Sequence, residues 1–226
     1  MSILIIVIIF AYLIGSIPFG YIIAKLVKGI DIRTVGSRNI GATNVGRIIG
    51  WKWGVFTFLL DALKGAIIVC LAYFVSTAIA KLPASDYCAI NNAIWMLIGG
   101  IAVILGHLFP IYLRFKGGKG VATAFGVFIL MMPRATIIAL ALWLFLVLLF
   151  RYVSIASIVA GISLPISYFL LNTDYKYKPN SGYSIIFITS LVVTLLVILK
   201  HIPNIKRLLN GTEPKVSFKK KDETQK

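Results

Sequence analysis

The sequence predicts an all-α fold, a polytopic integral membrane bundle of seven transmembrane helices with its N-terminus outside and its C-terminus in the cytoplasm. Of the 226 residues, 59% are apolar, and the mean hydropathy is +0.95. The apolar residues form blocks of roughly 20, the length that an α-helix needs to cross a bilayer. The chain also carries 23 basic residues against 7 acidic ones, an excess that is typical of cytoplasmic loops.

Charge indicates which segments lie on which side of the membrane. Residues 27–52, the loop 114–119 and the tail after residue 200 are basic, so we expect them in the cytoplasm. Residues 81–92 and 172–182 are nearly neutral and are expected outside. Nucleic acid is not predicted as a partner, because the basic residues lie between apolar spans and not on a soluble domain.

The number of membrane crossings follows from the side of the membrane to which each segment is assigned. All basic segments share one side only if residues 119–150 cross the membrane twice, with a break near Pro133 and Arg134. The fourth helix is then short, about 14 residues or roughly 21 Å. The predicted spans are 3–26, 53–80, 93–113, 119–133, 135–150, 152–171 and 183–200.

The domain organisation is simple. Residues 1–211 are interpreted as a single membrane domain, because no segment between spans is long enough to fold alone. Residues 212–226 are predicted to form a basic, disordered cytoplasmic tail. Cys70 and Cys88 lack the spacing of a zinc site, so no metal is predicted.

The first basic segment, residues 36–47, has the composition of an anion-binding loop. Glycine lets the backbone approach a ligand, and successive exposed N–H groups can form a concavity for an anion. Arg47 adds a guanidinium that can bind phosphate through two donors. The alternative is a polar loop that merely joins two helices. The candidate ligands are Gly36, Ser37, Asn39, Gly41, Thr43, Asn44 and Arg47.

The second segment, residues 115–123, places glycines and lysines directly before an apolar helix. A helix N-terminus carries partial positive charge and N–H donors, so it binds phosphate readily. Gly120 follows Lys119 where a nucleotide-binding P-loop needs Ser or Thr, so no nucleotide cofactor is predicted. A flexible basic junction is the alternative. The candidates are Gly117, Gly118, Lys119 and Gly120.

The third segment follows the last span. In a helix, His201 and Asn204 lie three residues apart and share a face. A basic flank of the last span is the alternative, which explains the lysines but neither of these two residues. Asp61 and Lys64 lie within the second span, where charges are costly, so we expect them to face the bundle and to pair. A structural hydrogen bond is favoured for His107.

These segments carry a resemblance to a known family. GSRNIGATNVGR, KGGKGVAT and HIPNIKRLLNGTEPK resemble, in order and placement, the motifs of bacterial acyl-phosphate:glycerol-3-phosphate acyltransferases, the PlsY family. The sequence GSIPFG, the Asp61-x-x-Lys64-Gly65 motif and the Gly106-His107-x-x-Pro110 motif match as well. Many family members have glycine where this chain has Arg38.

The resemblance implies a bacterial plasma membrane enzyme whose active site faces the cytoplasm. It would move a fatty acyl group from acyl phosphate to the 1-hydroxyl of sn-glycerol 3-phosphate, by direct attack, without an acyl-enzyme and without a cofactor. The partners would be these two substrates and membrane lipid, and the enzyme would be a monomer. The implied catalytic residues are Ser37, Arg47, Lys119, His201 and Asn204; the implied phosphate ligands are Gly36, Asn39, Gly41, Thr43, Asn44, Gly117, Gly118, Gly120 and Ser154; the implied supports are Asp61, Lys64, His107 and Glu213.

A membrane transporter of an organic phosphate is the alternative function. The same basic loops would then act as a gate. Two features count against it: no inverted repeat is visible, and the polar residues concentrate at one membrane face and not at the midplane.

Overall fold

The computed structural model describes residues 2–80, 92–172 and 182–216, and every regular element within them is helical. The predicted external segments therefore lie largely outside the described residues. The helices are α1 Ser2–Ser16, α2 Phe19–Lys28, α3 Ala42–Ile48, α4 Trp51–Ala80, α5 Asn92–Leu108, α6 Val121–Met131, α7 Pro133–Phe150, α8 Val153–Leu171, α9 Tyr183–Lys200 and α10 Ile202–Leu209, with a 3₁₀ turn at Ile111–Leu113.

Six of the predicted spans are long and apolar enough to cross a membrane. In the described part of the chain they are Ile3–Lys28, Trp51–Ala80, Asn92–Leu113, Pro133–Phe150, Val153–Leu171 and Tyr183–Lys200. The remaining predicted span is α6, which has 11 residues and falls below the length of a full crossing. The break predicted near Pro133 is present, because Pro133 begins α7.

The first predicted span is not one continuous helix. It breaks between Ser16 and Phe19 because Pro18 has no N–H with which to continue the hydrogen-bond ladder, and it restricts the residue before it. The carbonyl oxygen of Ile17 instead accepts a hydrogen bond from Nζ of Lys64 at 3.0 Å. The proline therefore supplies a backbone acceptor to a buried charge of α4.

Helices pack closely where a glycine meets the backbone of a neighbour. Gly106 of α5 lies against the carbonyl of Tyr12 in α1, and Gly126 of α6 lies against the carbonyl of Ala62 in α4, with no room for a β-carbon at either contact. Small residues allow this approach in membrane bundles, where dispersion and not the hydrophobic effect drives helix association. These contacts join α5 to α1 and α6 to α4, and Gly99 of α5, which lies against Ile68 of α4, joins the two pairs.

Pro165 lies inside α8 and removes one backbone donor. The carbonyl it would leave without a partner, that of Gly161, accepts a hydrogen bond from Oγ1 of Thr194 in α9 at 2.8 Å. In a membrane such a carbonyl has no water to bond, so the threonine compensates for the proline.

The tail differs from its prediction at residues 212–216. The N–H of Val216 donates to the carbonyl of Arg151 at 2.8 Å, and Nη2 of Arg47 donates to the carbonyl of Pro214 at 3.3 Å. The polar composition suggested disorder, but these hydrogen bonds hold the segment against the bundle. Residues 217–226 lie outside the described residues.

Candidate active site

The three polar segments meet at one end of the bundle, which we call the loop end. It comprises α2, α3, the loop 109–120 and residues 201–216. Nζ of Lys119 donates to Oδ1 of Asn204 at 2.5 Å, which joins the second segment to the third. The contact of Arg47 with Pro214 joins the first segment to the third. Residues far apart in sequence thus form one cluster.

Glu213 orients the polar groups of the third segment. Its Oε1 accepts from Nδ2 of Asn204 at 2.6 Å, and its Oε2 accepts from Nε of Arg207 at 2.8 Å. Because a carboxylate only accepts, the amide NH₂ of Asn204 faces Glu213 and the amide oxygen faces the ammonium of Lys119. The predicted role of Glu213 as a support of the third segment stays a prediction, and these contacts show the groups through which it would act.

Positive charge exceeds negative charge in this cluster. Burial, with Arg207 and Arg47 nearby, lowers the pKa of Lys119 to about 8, although Glu213 opposes the shift. Arg47 is exposed as a residue, but partial desolvation of its guanidinium lowers its pKa as well. Burial tends to raise the pKa of Glu213, but hydrogen bonds from Asn204 and Arg207, with the Ser154 hydroxyl nearby, bring it below its ordinary value. Three cations therefore share one carboxylate, which is the electrostatic condition for binding an anion.

His201 lies at the junction of α9 and α10 and is 2% exposed. Its Nδ1 is 2.7 Å from the carbonyl oxygen of Val197. Because that oxygen only accepts, Nδ1 carries the proton and Nε2 is left as an acceptor in the neutral ring. Burial and the neighbouring charge of Lys119 lower the pKa of His201 to about 4, so the ring is neutral at pH 7.

Asn44 builds the first segment from within. It is 1% exposed, its Oδ1 accepts from the N–H of Ser37 at 2.9 Å, and its Nδ2 lies within hydrogen-bond distance of three loop carbonyls. Gly36 has φ +60° and lies directly against the Asn44 amide oxygen, so only glycine fits there. Asn39 likewise bonds the loop itself, accepting from the N–H of Gly41 at 2.8 Å.

The predicted phosphate ligands of this segment differ in their surroundings. Thr43 is exposed, Ser37 is half-buried, and Asn39 and Asn44 make their contacts within the loop. Direct binding of phosphate by these residues stays a prediction. The contacts of Asn44 show in addition a supporting role that composition did not reveal.

The second segment packs against a buried cluster of Asp61, Lys64 and His107. Asp61 and Lys64 form the predicted ion pair at 2.8 Å, and Nδ1 of His107 lies 3.1 Å from Nζ of Lys64. The carbonyl of His107 accepts the N–H of Gly118 at 3.0 Å, and the imidazole ring fills the space beside the Gly118 α-carbon. The absence of a side chain at Gly118 leaves room for the His107 ring, and the binding of a ligand by Gly118 stays a prediction.

Gly117 and Gly120 complete that turn. A β-carbon at Gly117 would overlap the His107 carbonyl, and Gly120 has φ +82° immediately before α6. Ser154, at the first turn of α8, is 2% exposed and lies near enough to Glu213 to affect its pKa. Arg207 was not among the predicted site residues, although it lies three residues after Asn204 and shares a face of α10 with it.

Arg38 provides a test of backbone strain in the first segment. It has φ +60°, a conformation that costs a non-glycine residue about 1 kcal/mol. We expect Arg38→Gly to raise the unfolding free energy by about that amount, measured by thermal unfolding of the purified protein. The matched control is Gly29→Ala, because Gly29 has φ +67° with nothing within 4 Å and should lose similar stability. If Arg38→Gly were less stable than the wild type, the inference that Arg38 is strained in this conformation would be wrong.

The family model described as glycerol-3-phosphate acyltransferase matches residues 5–211. Glycerol-3-phosphate acyltransferases of Geotalea daltonii (44% identical over 209 residues, 92% of this chain and 95% of the relative) and Endomicrobium trichonymphae (45% over 224 residues, 98% and 100%) are similar along almost the whole chain. That of Aquifex aeolicus is 43% identical over 208 residues, 91% of this chain and 95% of the relative.

Two solved structures are similar to this chain in both fold and sequence. A crystal structure of PlsY, an integral membrane glycerol 3-phosphate acyltransferase, in its glycerol 3-phosphate form has a TM-score of 0.78 at 40% identity, covering 95% of this chain and 96% of the other. Its lysophosphatidic acid form has a TM-score of 0.76 at 39% identity, with 95% of each chain covered. The basic cluster, the multi-pass helical fold and these similarities lead to one conclusion: the chain belongs to the glycerol-3-phosphate acyltransferase family and is an integral membrane acyltransferase.

Proposed function

We propose that this enzyme transfers a fatty acyl group from acyl phosphate to the 1-hydroxyl of sn-glycerol 3-phosphate, giving lysophosphatidic acid and phosphate. The observation that carries the proposal is the convergence of Arg47, Lys119 and Arg207 on one carboxylate at the loop end. Both proposed substrates bear phosphate, and such a cluster binds phosphate by charge and directed donors. The related PlsY structures, in their glycerol 3-phosphate and lysophosphatidic acid forms, support the acceptor and the product.

The proposed reaction is a direct transfer. The 1-hydroxyl oxygen attacks the acyl carbonyl carbon, and the bond from that carbon to the phosphate oxygen breaks. The hydroxyl proton passes to an oxygen of the departing phosphate. Acyl phosphate is a mixed anhydride with a good leaving group, so the chemistry needs neither an acyl-enzyme nor a strongly basic side chain. Lys119 and Arg47 would stabilise the charge that gathers on phosphate as the bond breaks.

The environment of His201 favours the substrate oxygen as the proton acceptor. A pKa of about 4 makes the neutral ring a weak base at pH 7. Its Nδ1 proton is already bonded to Val197, and Nε2 is suited to accept a hydrogen bond from the substrate hydroxyl. We infer that His201 orients glycerol phosphate, together with Asn204, and does not carry the proton away.

A His201→Gln substitution tests this role. Glutamine keeps a polar group near the position of Nε2, so we expect kcat to fall by no more than about tenfold, measured with saturating substrates. A loss of about 10²–10⁴-fold with unchanged KM is the size of general-base catalysis and would show that His201 takes the proton. His201→Asn, which retains a donor near Nδ1 but does not reach Nε2, is the matched control and should raise KM for glycerol phosphate.

The donor decides between the proposed reaction and others. Purified enzyme is incubated with labelled glycerol 3-phosphate and acyl phosphate, acyl-CoA or acyl carrier protein in parallel. We expect labelled lysophosphatidic acid with acyl phosphate alone and release of inorganic phosphate in equal amount. Product with acyl-CoA alone would reject the proposed donor. No product with any donor, from protein that remains folded, would favour the transporter.

We also propose seven crossings, with α6 as the short one, and a loop end that faces the cytoplasm. The basic residues support this orientation. Shielding by α4 and α5, which pack on α6 through Gly65 and Gly100, would allow a helix of 11 residues to serve as a crossing. Protease added outside intact cells should leave a tag at the C-terminus uncut. Cleavage of that tag would reverse the orientation.

A further inference from the structure

Two adjacent carbonyls at the end of α5 hold two of the three segments. The carbonyl of His107 accepts the N–H of Gly118 at 3.0 Å, and the carbonyl of Leu108 accepts Nζ of Lys200 at 3.0 Å. Carbonyls in the last turn of a helix have no partner within that helix, so they are available for such contacts. The second and third segments are therefore attached at neighbouring points of one rigid helix end.

Lys200 is well suited to this attachment. It is the last residue of α9, and its ammonium lies 3.9 Å from the ring centroid of Phe109. A cation is stabilised both by the negative end of the α5 dipole and by the face of an aromatic ring. The carbonyl of Phe109 in turn accepts the hydroxyl of Tyr12 at 2.6 Å. Through these two contacts Phe109, the residue after α5, connects the end of α9 to α1.

These contacts, together with the chain itself, connect the end of α5 to the third segment, the third segment to the second, and the second segment back to α5. From Lys200 the chain leads directly to His201 and, one turn later, to Asn204. Asn204 bonds Lys119, which follows Gly118, and Gly118 returns to α5. We propose that Lys200 is a positioning residue for acyl transfer: it fixes the distance of His201 and Asn204 from Lys119 and does not itself contact the substrate. This inference rests on the proposed function of His201, Asn204 and Lys119.

A basic anchor at the membrane surface is the competing interpretation of Lys200. An anchoring lysine extends its charged group towards water and headgroups. The Lys200 side chain is instead half-buried, and its ammonium bonds a carbonyl of Leu108, a residue that is 0% exposed. The direction of the side chain therefore supports positioning over anchoring.

Substitution at Lys200 separates the two roles. We expect Lys200→Met to lower kcat by about 10- to 100-fold, because small displacements of catalytic groups have effects of that size. KM for acyl phosphate and the thermal unfolding midpoint should change little, whereas KM for glycerol phosphate should rise. Lys200→Arg keeps a cation and donors at this place and should recover most of the rate. Lys206→Met, at an exposed lysine of α10, is the matched control and should have wild-type kcat.

A double-mutant cycle tests whether Lys200 acts through Asn204. If it does, Lys200→Met should lower kcat clearly less in an Asn204→Ala background than in the wild type, since the effects of coupled residues are not additive. The full loss in that background would overturn the proposal, as would normal kcat in Lys200→Met. If Lys200→Met does not fold, Phe109→Leu replaces it: a lower kcat at unchanged KM for acyl phosphate supports positioning, and wild-type kcat contradicts it. The wild type is assayed first with each acyl donor, so a wrong donor is recognised before the cycle is interpreted.

Discussion

Replacement of Lys119 by methionine is expected to lower kcat/KM by about 10²–10³-fold, the effect of removing one preorganised donor for a developing anion. Methionine keeps the length of the side chain but loses its charge and the hydrogen bond to Asn204. Steady-state kinetics with varied acyl phosphate and varied glycerol 3-phosphate measure the loss. Lys116→Met changes the other lysine of the same segment, which is exposed, and should stay within about threefold of the wild type. Equal losses at both positions would indicate a general charge effect.

The pKa of Lys119 adds a dependence on pH. The group is a cation below its pKa of about 8 and loses its charge above it. We therefore expect kcat/KM of the wild type to decline above pH 8, because that quantity reports the ionisation of the free enzyme. In Lys119→Arg the decline should move to higher pH, since guanidinium keeps its charge. An unchanged decline in the arginine variant would assign it to another group.

Replacement of Gly118 by alanine is the second large effect expected. The added methyl would overlap Nε2 of His107, whose ring is held by Lys64 and Asp61 and cannot withdraw freely. The turn must then shift, and Lys119 moves with it. We expect kcat/KM to fall about 10²-fold, measured by the same assay, and the unfolding free energy to fall by about 1–3 kcal/mol, as for other overpacked sites.

Two variants control for the added methyl group. In Gly161→Ala the added methyl group in α8 lies 3.8 Å from the side chain of Thr194, an ordinary contact, so the variant should keep its activity and gain slight stability. In Gly118→Ala/His107→Asn the shorter side chain gives the methyl room, so the stability loss should be smaller than the sum of the single losses. Additive losses would show that the overlap with His107 is not the cause.

Local sequence determined the membrane class, most helix positions and the identity of the three segments. Hydropathy over about 20 residues is enough to mark a span, and the break near Pro133 follows from the chemistry of one residue. The sequence also predicted that Asp61 and Lys64 pair, because two opposite charges three residues apart in an apolar helix stabilise each other. The break at Pro18 has the same chemical cause. It was not predicted, because the apolar composition continues across it.

The arrangement of the site was decided by tertiary structure. Lys119 and Asn204 are 85 residues apart, and Arg47 and Pro214 are 167 apart, so no local pattern could predict that they touch. The same is true of Gly118, because no local pattern predicts that the ring of His107 lies beside its α-carbon. Composition determines which segments can bind phosphate, because that depends on the groups each one carries. Their common site depends on which helix ends meet, and helix packing fixes that through close contacts between residues distant in the chain.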